Sequence, residues 1–223
     1  MHAMRYRPPA PGEVVLSRHD GHLEARAPEH PPGRGVWANW PKPASRRGGS
    51  ALVRALGDSN SVIDATGGLG VDAWRMALAG RSVTVLERVP VVAALLADAL
   101  ERAAAIDAAA AARMRLVEGD SRRFLASLGE HDRPDAIYLD PMFPPKRRES
   151  ALAPKEMQFL ASIAGDDADA GELLEMSRRA ARKRVVVKRP QHAPPLGPDR
   201  EFALESKLLR FDVHRPIGAG DRS

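Results

Sequence analysis

From residue 61 onward, short apolar runs rich in β-branched residues alternate with stretches of helical spacing, and few folds accommodate that order. The runs fall at 61–63, 82–86, 114–117 and 135–139, with helices expected at 72–79, 90–112 and 121–128 between them. Two further helices, 155–164 and 170–181, precede the run Arg-Val-Val-Val at 184–187, apolar enough to be buried on both faces. Segments 201–204 and 208–214 read as a terminal antiparallel hairpin. Strands that alternate with helices are joined by crossovers, so the chain reads as α/β, a doubly wound and mainly parallel sheet.

The first 50 residues break this pattern. Residues 1–12 are basic and Pro-rich and are expected to pack loosely. Segments 13–17 and 22–25 flank Asp20-Gly21, a strong hairpin signal, and 36–40 is expected to add a short third strand. A linker holding Arg46 and Arg47 leads to a helix at 51–56. The expected division is a small β appendage with its basic linker over 1–50 and the α/β domain over 51–223. No apolar run approaches the ~18 residues of a spanning helix, and no apolar stretch follows the charged amino terminus, so a cytoplasmic protein is expected.

The chain has no cysteine, which removes disulfides, thiolate metal sites and thiolate nucleophiles. His19 and His22 bracket a turn without a third ligand, so no metal is expected. The net charge is +5, a weak bias toward polyanions, and of 34 basic residues 28 are Arg, whose planar fork suits phosphate.

In a doubly wound sheet, ligands bind at the carboxyl ends of the strands. The first such loop is Asp64-Ala65-Thr66-Gly67-Gly68-Leu69-Gly70, followed by Val71 and Asp72. Gly68 and Gly70 let the backbone turn sharply, but they also fit a dinucleotide fingerprint. Glu87-Arg88 ends the second strand, at the distance from Gly68 where an acidic side chain takes ribose hydroxyls. Asp64 and Asp72 favour one nucleoside over the other. They place carboxylates where a dinucleotide puts its pyrophosphate, whereas S-adenosylmethionine brings an ammonium and a sulfonium. Asp120-Ser121, after the third strand, offers a carboxylate and a hydroxyl to an adenine amino group, or caps the next helix.

The fourth loop, Asp140-Pro141-Met142-Phe143-Pro144, sets a carboxylate, a proline and an aromatic ring in the pattern with which amino-group methyltransferases grip a planar amine. Asp140 and the Pro141 carbonyl are expected to accept the amine hydrogens, and Phe143 to stack on the base. Lys146, Arg147 and Arg148 follow this loop and Lys188-Arg189 follow the fifth strand, a basic rim expected, with Arg46 and Arg47, to hold phosphates.

The residues 64–70, Leu86-Glu87-Arg88, 138–144, Lys155-Glu156-Met157, 183–190 and Arg210-Phe211-Asp212 together resemble the ribosomal RNA small subunit methyltransferase J family. That resemblance, over about residues 50–214, implies a class I S-adenosylmethionine-dependent methyltransferase that modifies the exocyclic N2 of a guanine in 16S rRNA, as free RNA or in the 30S particle. It places cofactor contacts on Val71, Asp72, Glu87, Arg88, Asp120, Ser121 and Asp140. It also adds support to Lys188 and Arg189 as substrate contacts. The alternatives are a methyltransferase acting on DNA or protein amino groups, a nicotinamide-dependent oxidoreductase, and a non-catalytic RNA-binding module.

Overall fold

The computed structural model describes residues 13–40, 42, 50–141, 155–164 and 169–218. Arg46, Arg47, Phe143, Lys146, Arg147, Arg148 and the basic segment 1–12 lie outside these residues.

The chain opens with a hairpin of β1 (Val15–His19) and β2 (His22–Arg26), closed by Asp20 and Gly21. Both have positive φ, 47° and 78°, the geometry of a two-residue turn that matches strand twist. The expected third strand at 36–40 does not form. Val36 makes an isolated bridge to Ala25, and the chain then turns Trp40 inward onto Trp74, with ring centroids 5.3 Å apart. Its indole N–H donates to the Leu69 carbonyl at 2.8 Å, so the buried ring keeps a polar partner.

Helix α1 (Ala51–Leu56) leads into β3 (Ser61–Asp64), α2 (Val71–Leu78), β4 (Ser82–Glu87), α3 (Pro90–Ala111), β5 (Met114–Glu118), α4 (Ser121–Ala126) and β6 (Ala136–Leu139). Then follow α5 (Lys155–Ala164), α6 (Ala170–Ala180), β7 (Arg184–Pro190), β8 (Arg200–Glu205) and β9 (Leu209–His214). The seven strands β3–β9 form one sheet, ordered β5-β4-β3-β6-β7-β9-β8, parallel except where β9 pairs with β7 and β8. The doubly wound reading and its terminal hairpin therefore hold. Two details differ from it. The long helix is interrupted at Asp107 (φ −156°, ψ 96°), whose carboxylate accepts the Ala110 N–H at 2.9 Å and caps the turn that restarts. A 3₁₀ turn, Glu130–Asp132, precedes β6.

The strands are apolar on both faces because both are covered. Ala136, Tyr138 and Val186 point to a core shared with α1, α2, α3 and the amino-terminal residues Ala25, Val36, Ala38 and Trp40. Ile137, Leu139, Val185 and Val187 point to a second core with α4 and α6. The strand order reverses between β3 and β6, both of which pair with neighbours on their far sides. The crevice at their carboxyl ends is the usual ligand position in such a sheet. Among the described residues, no helix is long and apolar enough to cross a membrane.

Candidate functional site

A cleft of about 770 Å³ opens at that crevice, within the range of small-molecule sites. Every described residue that the sequence nominated for the cofactor lines it: Asp64, Gly68, Gly70, Val71, Asp72, Glu87, Arg88, Asp120, Ser121 and Asp140, with Pro141, Lys188 and Arg189.

The glycine turn forms one wall. Gly68 and Gly70 have φ of 52° and 72°, and a Cβ on Gly70 would lie 2.4 Å from Leu96 Cδ2 and 2.9 Å from the Trp40 ring. Gly70 is therefore fixed by both its conformation and its neighbours. Glu87 ties this turn to the second loop. Its Oε2 accepts the Gly68 N–H and its Oε1 the Val89 N–H, each at 2.8 Å. Burial pushes its carboxyl above the ordinary range, although both amide hydrogen bonds oppose the shift.

On the third loop, Asp120 caps α4 by accepting the Arg122 and Arg123 N–H groups at 2.9 and 3.1 Å. It also pairs with the Arg122 guanidinium, which reaches Asp169 at 3.2 Å. Arg88 meets the same Asp169 at 3.3 Å. Ser121 Oγ donates to the Ala65 carbonyl at 2.7 Å, binding the third loop to the first. Thr66 makes the next link, since its Oγ1 accepts the Asp140 N–H at 2.6 Å while its own N–H donates to Asp64 Oδ1 at 3.1 Å.

The acidic floor differs from the sequence expectation. Asp64 and Asp72 do not stand as two bare charges that repel phosphate. Asp64 is buried, and desolvation, with Asp72 and Asp140 nearby, pushes its carboxyl up to about 8. At Asp72 burial works against the charge, but Lys188, Tyr138 and Arg75 hold its carboxyl below the ordinary range. Lys188 Nζ lies 2.8 Å from both Asp72 Oδ2 and Asp140 Oδ2, and Tyr138 donates its hydroxyl to Asp72 at 2.7 Å.

The basic rim expected at Lys188-Arg189 also takes another form. The Lys188 ammonium is engaged by two carboxylates inside the cleft. Arg189 is only 4% exposed, and its guanidinium donates to the Pro194 carbonyl. Alternation explains the split, because on β7 Lys188 shares a face with Val186 while Arg189 shares the other with Val185 and Val187.

Sequence reasoning missed several lining residues. Trp37 and Asn39 reach the cleft from the amino-terminal segment, and Arg122, Leu160 and Asp169 from α4, α5 and the turn before α6. Their elements are distant in sequence, and no local motif marks them. Trp37 stacks on His22 with centroids 4.0 Å apart, and Arg102 lies 5.1 Å over its ring.

A doubly wound sheet with this strand order, a glycine turn after β3, an acid ending β4 and Asp140-Pro141 after β6 defines a class I methyltransferase. A family model for SAM-dependent methyltransferases matches residues 19–216. A SAM-dependent methyltransferase from Neisseria gonorrhoeae superposes with a TM-score of 0.71 at 28% identity, covering 96% of this chain and 87% of that one. More narrowly, the chain belongs to the ribosomal RNA small subunit methyltransferase J family. The relative of that name from Thioalkalivibrio sulfidiphilus is 52% identical over 170 residues, 73% of this chain and 66% of the relative. That from Serratia proteamaculans is 47% identical over 178 residues, 76% of this chain and 70% of the relative. The match thus spans roughly two thirds of these relatives' own length.

The donor set fits the cofactor that the family implies. Glu87 ends β4 where a ribose diol needs an acceptor, Asp120 and Ser121 offer polar atoms to adenine, and the glycine turn brings backbone close without side chains. The carboxylates of Asp72 and Asp140 suit a cationic ligand better than a pyrophosphate.

Proposed function

We propose that this chain methylates the exocyclic N2 amino group of a guanine in small-subunit ribosomal RNA, with S-adenosylmethionine as donor. The observation that carries this reading is the position of Asp140 and Pro141 at the carboxyl end of β6, on the rim of the cleft that Glu87, Gly68 and Asp120 line. When bound, S-adenosylmethionine supplies an electrophilic methyl group. Glu87 holds the ribose hydroxyls, and Asp120 with Ser121 holds the adenine edge.

An aryl amine is a poor nucleophile because its lone pair is delocalised into the ring. Asp140 and the Pro141 carbonyl accept its two N–H hydrogens and favour the pyramidal nitrogen of the transition state. Asp140 also receives the proton that the methylated nitrogen sheds. In this reading Phe143, three residues further on, stacks on the base, a contact worth ~1–3 kcal/mol. The base must leave its stack, so the target is unpaired or flipped. Arg46, Arg47, Lys146, Arg147 and Arg148 complete the reading as phosphate contacts, and an rRNA substrate places the protein in the cytoplasm.

Tritium transfer from labelled cofactor tests the proposal against its rivals. Label should enter free 16S rRNA or 30S particles. Label confined to DNA or protein would assign another acceptor, and tighter binding of NADP than of S-adenosylhomocysteine would overturn the cofactor.

A further inference from the structure

A chain of four polar side chains runs across the floor of the cleft: Tyr138 hydroxyl, Asp72 carboxylate, Lys188 ammonium, Asp140 carboxylate. Its links are 2.7, 2.8 and 2.8 Å. The residues come from three elements, since Tyr138 and Asp140 flank the end of β6, Asp72 lies in the first turn of α2, and Lys188 is near the end of β7. Strand register brings them together. Tyr138 pairs with Val186 and Leu139 with Val187, so Lys188 falls beside Asp140, on the face that Tyr138 occupies.

Burial makes these contacts consequential. The Asp72 side chain is 11% exposed and that of Lys188 is 21%, whereas Asp140, at the cleft mouth, is 38% exposed. A largely buried ammonium persists because the carboxylates compensate it, and removing it would take a directly paired cation from both. Arg75 grips the other oxygen of Asp72 at 2.8 Å, so Asp72 is held from three sides and is a fixed anchor for Lys188.

Resting on the proposed amino-group chemistry, we infer that Lys188 is a positioning residue: anchored by Asp72, which Tyr138 in turn holds, it fixes the Asp140 carboxylate toward the substrate amine. It is not a phosphate contact. Among the described residues, Asp140 interacts electrostatically with Lys188 from β7, Asp64 from β3 and Tyr138 from β6, and it shares the Lys188 ammonium with Asp72 from α2. Lys188 is a cation in direct contact with Asp140 at 2.8 Å, so its removal should raise the proton affinity of Asp140.

Two measurements on Lys188→Met and Lys188→Arg test this. In the ligand-free protein, carboxyl-carbon NMR follows the titration of Asp140, assigned by its loss in Asp140→Asn. Lys188→Met should move that midpoint up by about 1–3 pH units, and Lys188→Arg should return most of the shift. In turnover, Lys188→Met should lower kcat roughly 10- to 100-fold, since a misplaced catalytic group costs up to that much. The acid limb of its pH profile should move the same way, with KM for RNA nearly unchanged.

Unchanged Asp140 titration in Lys188→Met would overturn the inference. So would a loss expressed wholly in KM for RNA with a flattened salt dependence, which marks a phosphate contact. If Lys188→Met does not fold, Tyr138→Phe carries the test. Without the Tyr138 hydrogen bond, Asp72 holds Lys188 less firmly, so the Asp140 midpoint should shift in the same direction by less, and an unmoved midpoint there would also overturn the inference. Should the wild type methylate no RNA, the functional reading falls, while the NMR titration still decides the role of Lys188.

Discussion

Glu87 Oε2 accepts the Gly68 N–H at 2.8 Å, so the acid that ends β4 is also the clamp on the glycine turn that follows β3. One side chain thus shapes the wall of the cleft and, in the proposed function, is also the ribose acceptor.

Glu87→Ala is therefore expected to weaken binding of S-adenosylhomocysteine by roughly 10- to 150-fold, the equivalent of ~1.5–3 kcal/mol for a charge-assisted hydrogen bond. Calorimetric titration measures it, with circular dichroism as the check on folding. An unchanged dissociation constant in a folded variant would place the ribose elsewhere.

Asp64 gives a pH signature in stability. Its carboxyl titrates near 8 in the folded protein, above the ordinary ~3.9 of an unfolded chain. The folded state binds this proton more tightly, so the contribution is complete below the unfolded value and is lost as pH rises toward and through 8. Asp64→Asn cannot ionise and escapes that loss. Urea unfolding of both proteins at pH 5 and pH 8 should show the difference moving in the variant's favour, by at most about 1.4 kcal/mol per pH unit. Parallel pH dependences would mean that Asp64 is ionised throughout.

Arg189→Ala should behave as a core substitution. Its side chain is buried beside the second core and reaches the Pro194 carbonyl, and burial lowers its proton affinity. Loss of about 1–3 kcal/mol of stability is expected, with the salt dependence of RNA binding unchanged. A salt slope flattened by ~0.7–0.9, with native stability, would return Arg189 to the RNA surface.

These residues also mark what the sequence makes legible. The glycine turn, Glu87, the Asp120 cap and Asp140 could be placed because each is local to one strand end, where chemistry and turn geometry leave a motif. The hairpin at Asp20-Gly21 was equally local. The partners of Lys188 are 116 and 48 residues away in sequence, and only the pairing of β6 with β7 joins them. Two-residue alternation along β7 could have separated Lys188 from Arg189 once that pairing was assumed. The segment at 36–40 misled because its apolar spacing is that of a strand, while its tryptophan is drawn into the core by Trp74 and the Leu69 carbonyl. Trp37 and Asn39 carried no signal, because their place in the cleft depends on how the amino-terminal segment packs.

The most direct test of the account is the identity of the modified nucleoside. Small-subunit rRNA incubated with the protein and S-adenosylmethionine should yield N2-methylguanosine on nucleoside mass spectrometry, and Asp140→Asn should reduce that product by at least about 100-fold while still binding S-adenosylhomocysteine. A methyl group on any other atom, or full activity of Asp140→Asn, would contradict the assignment of Asp140 to the guanine amine.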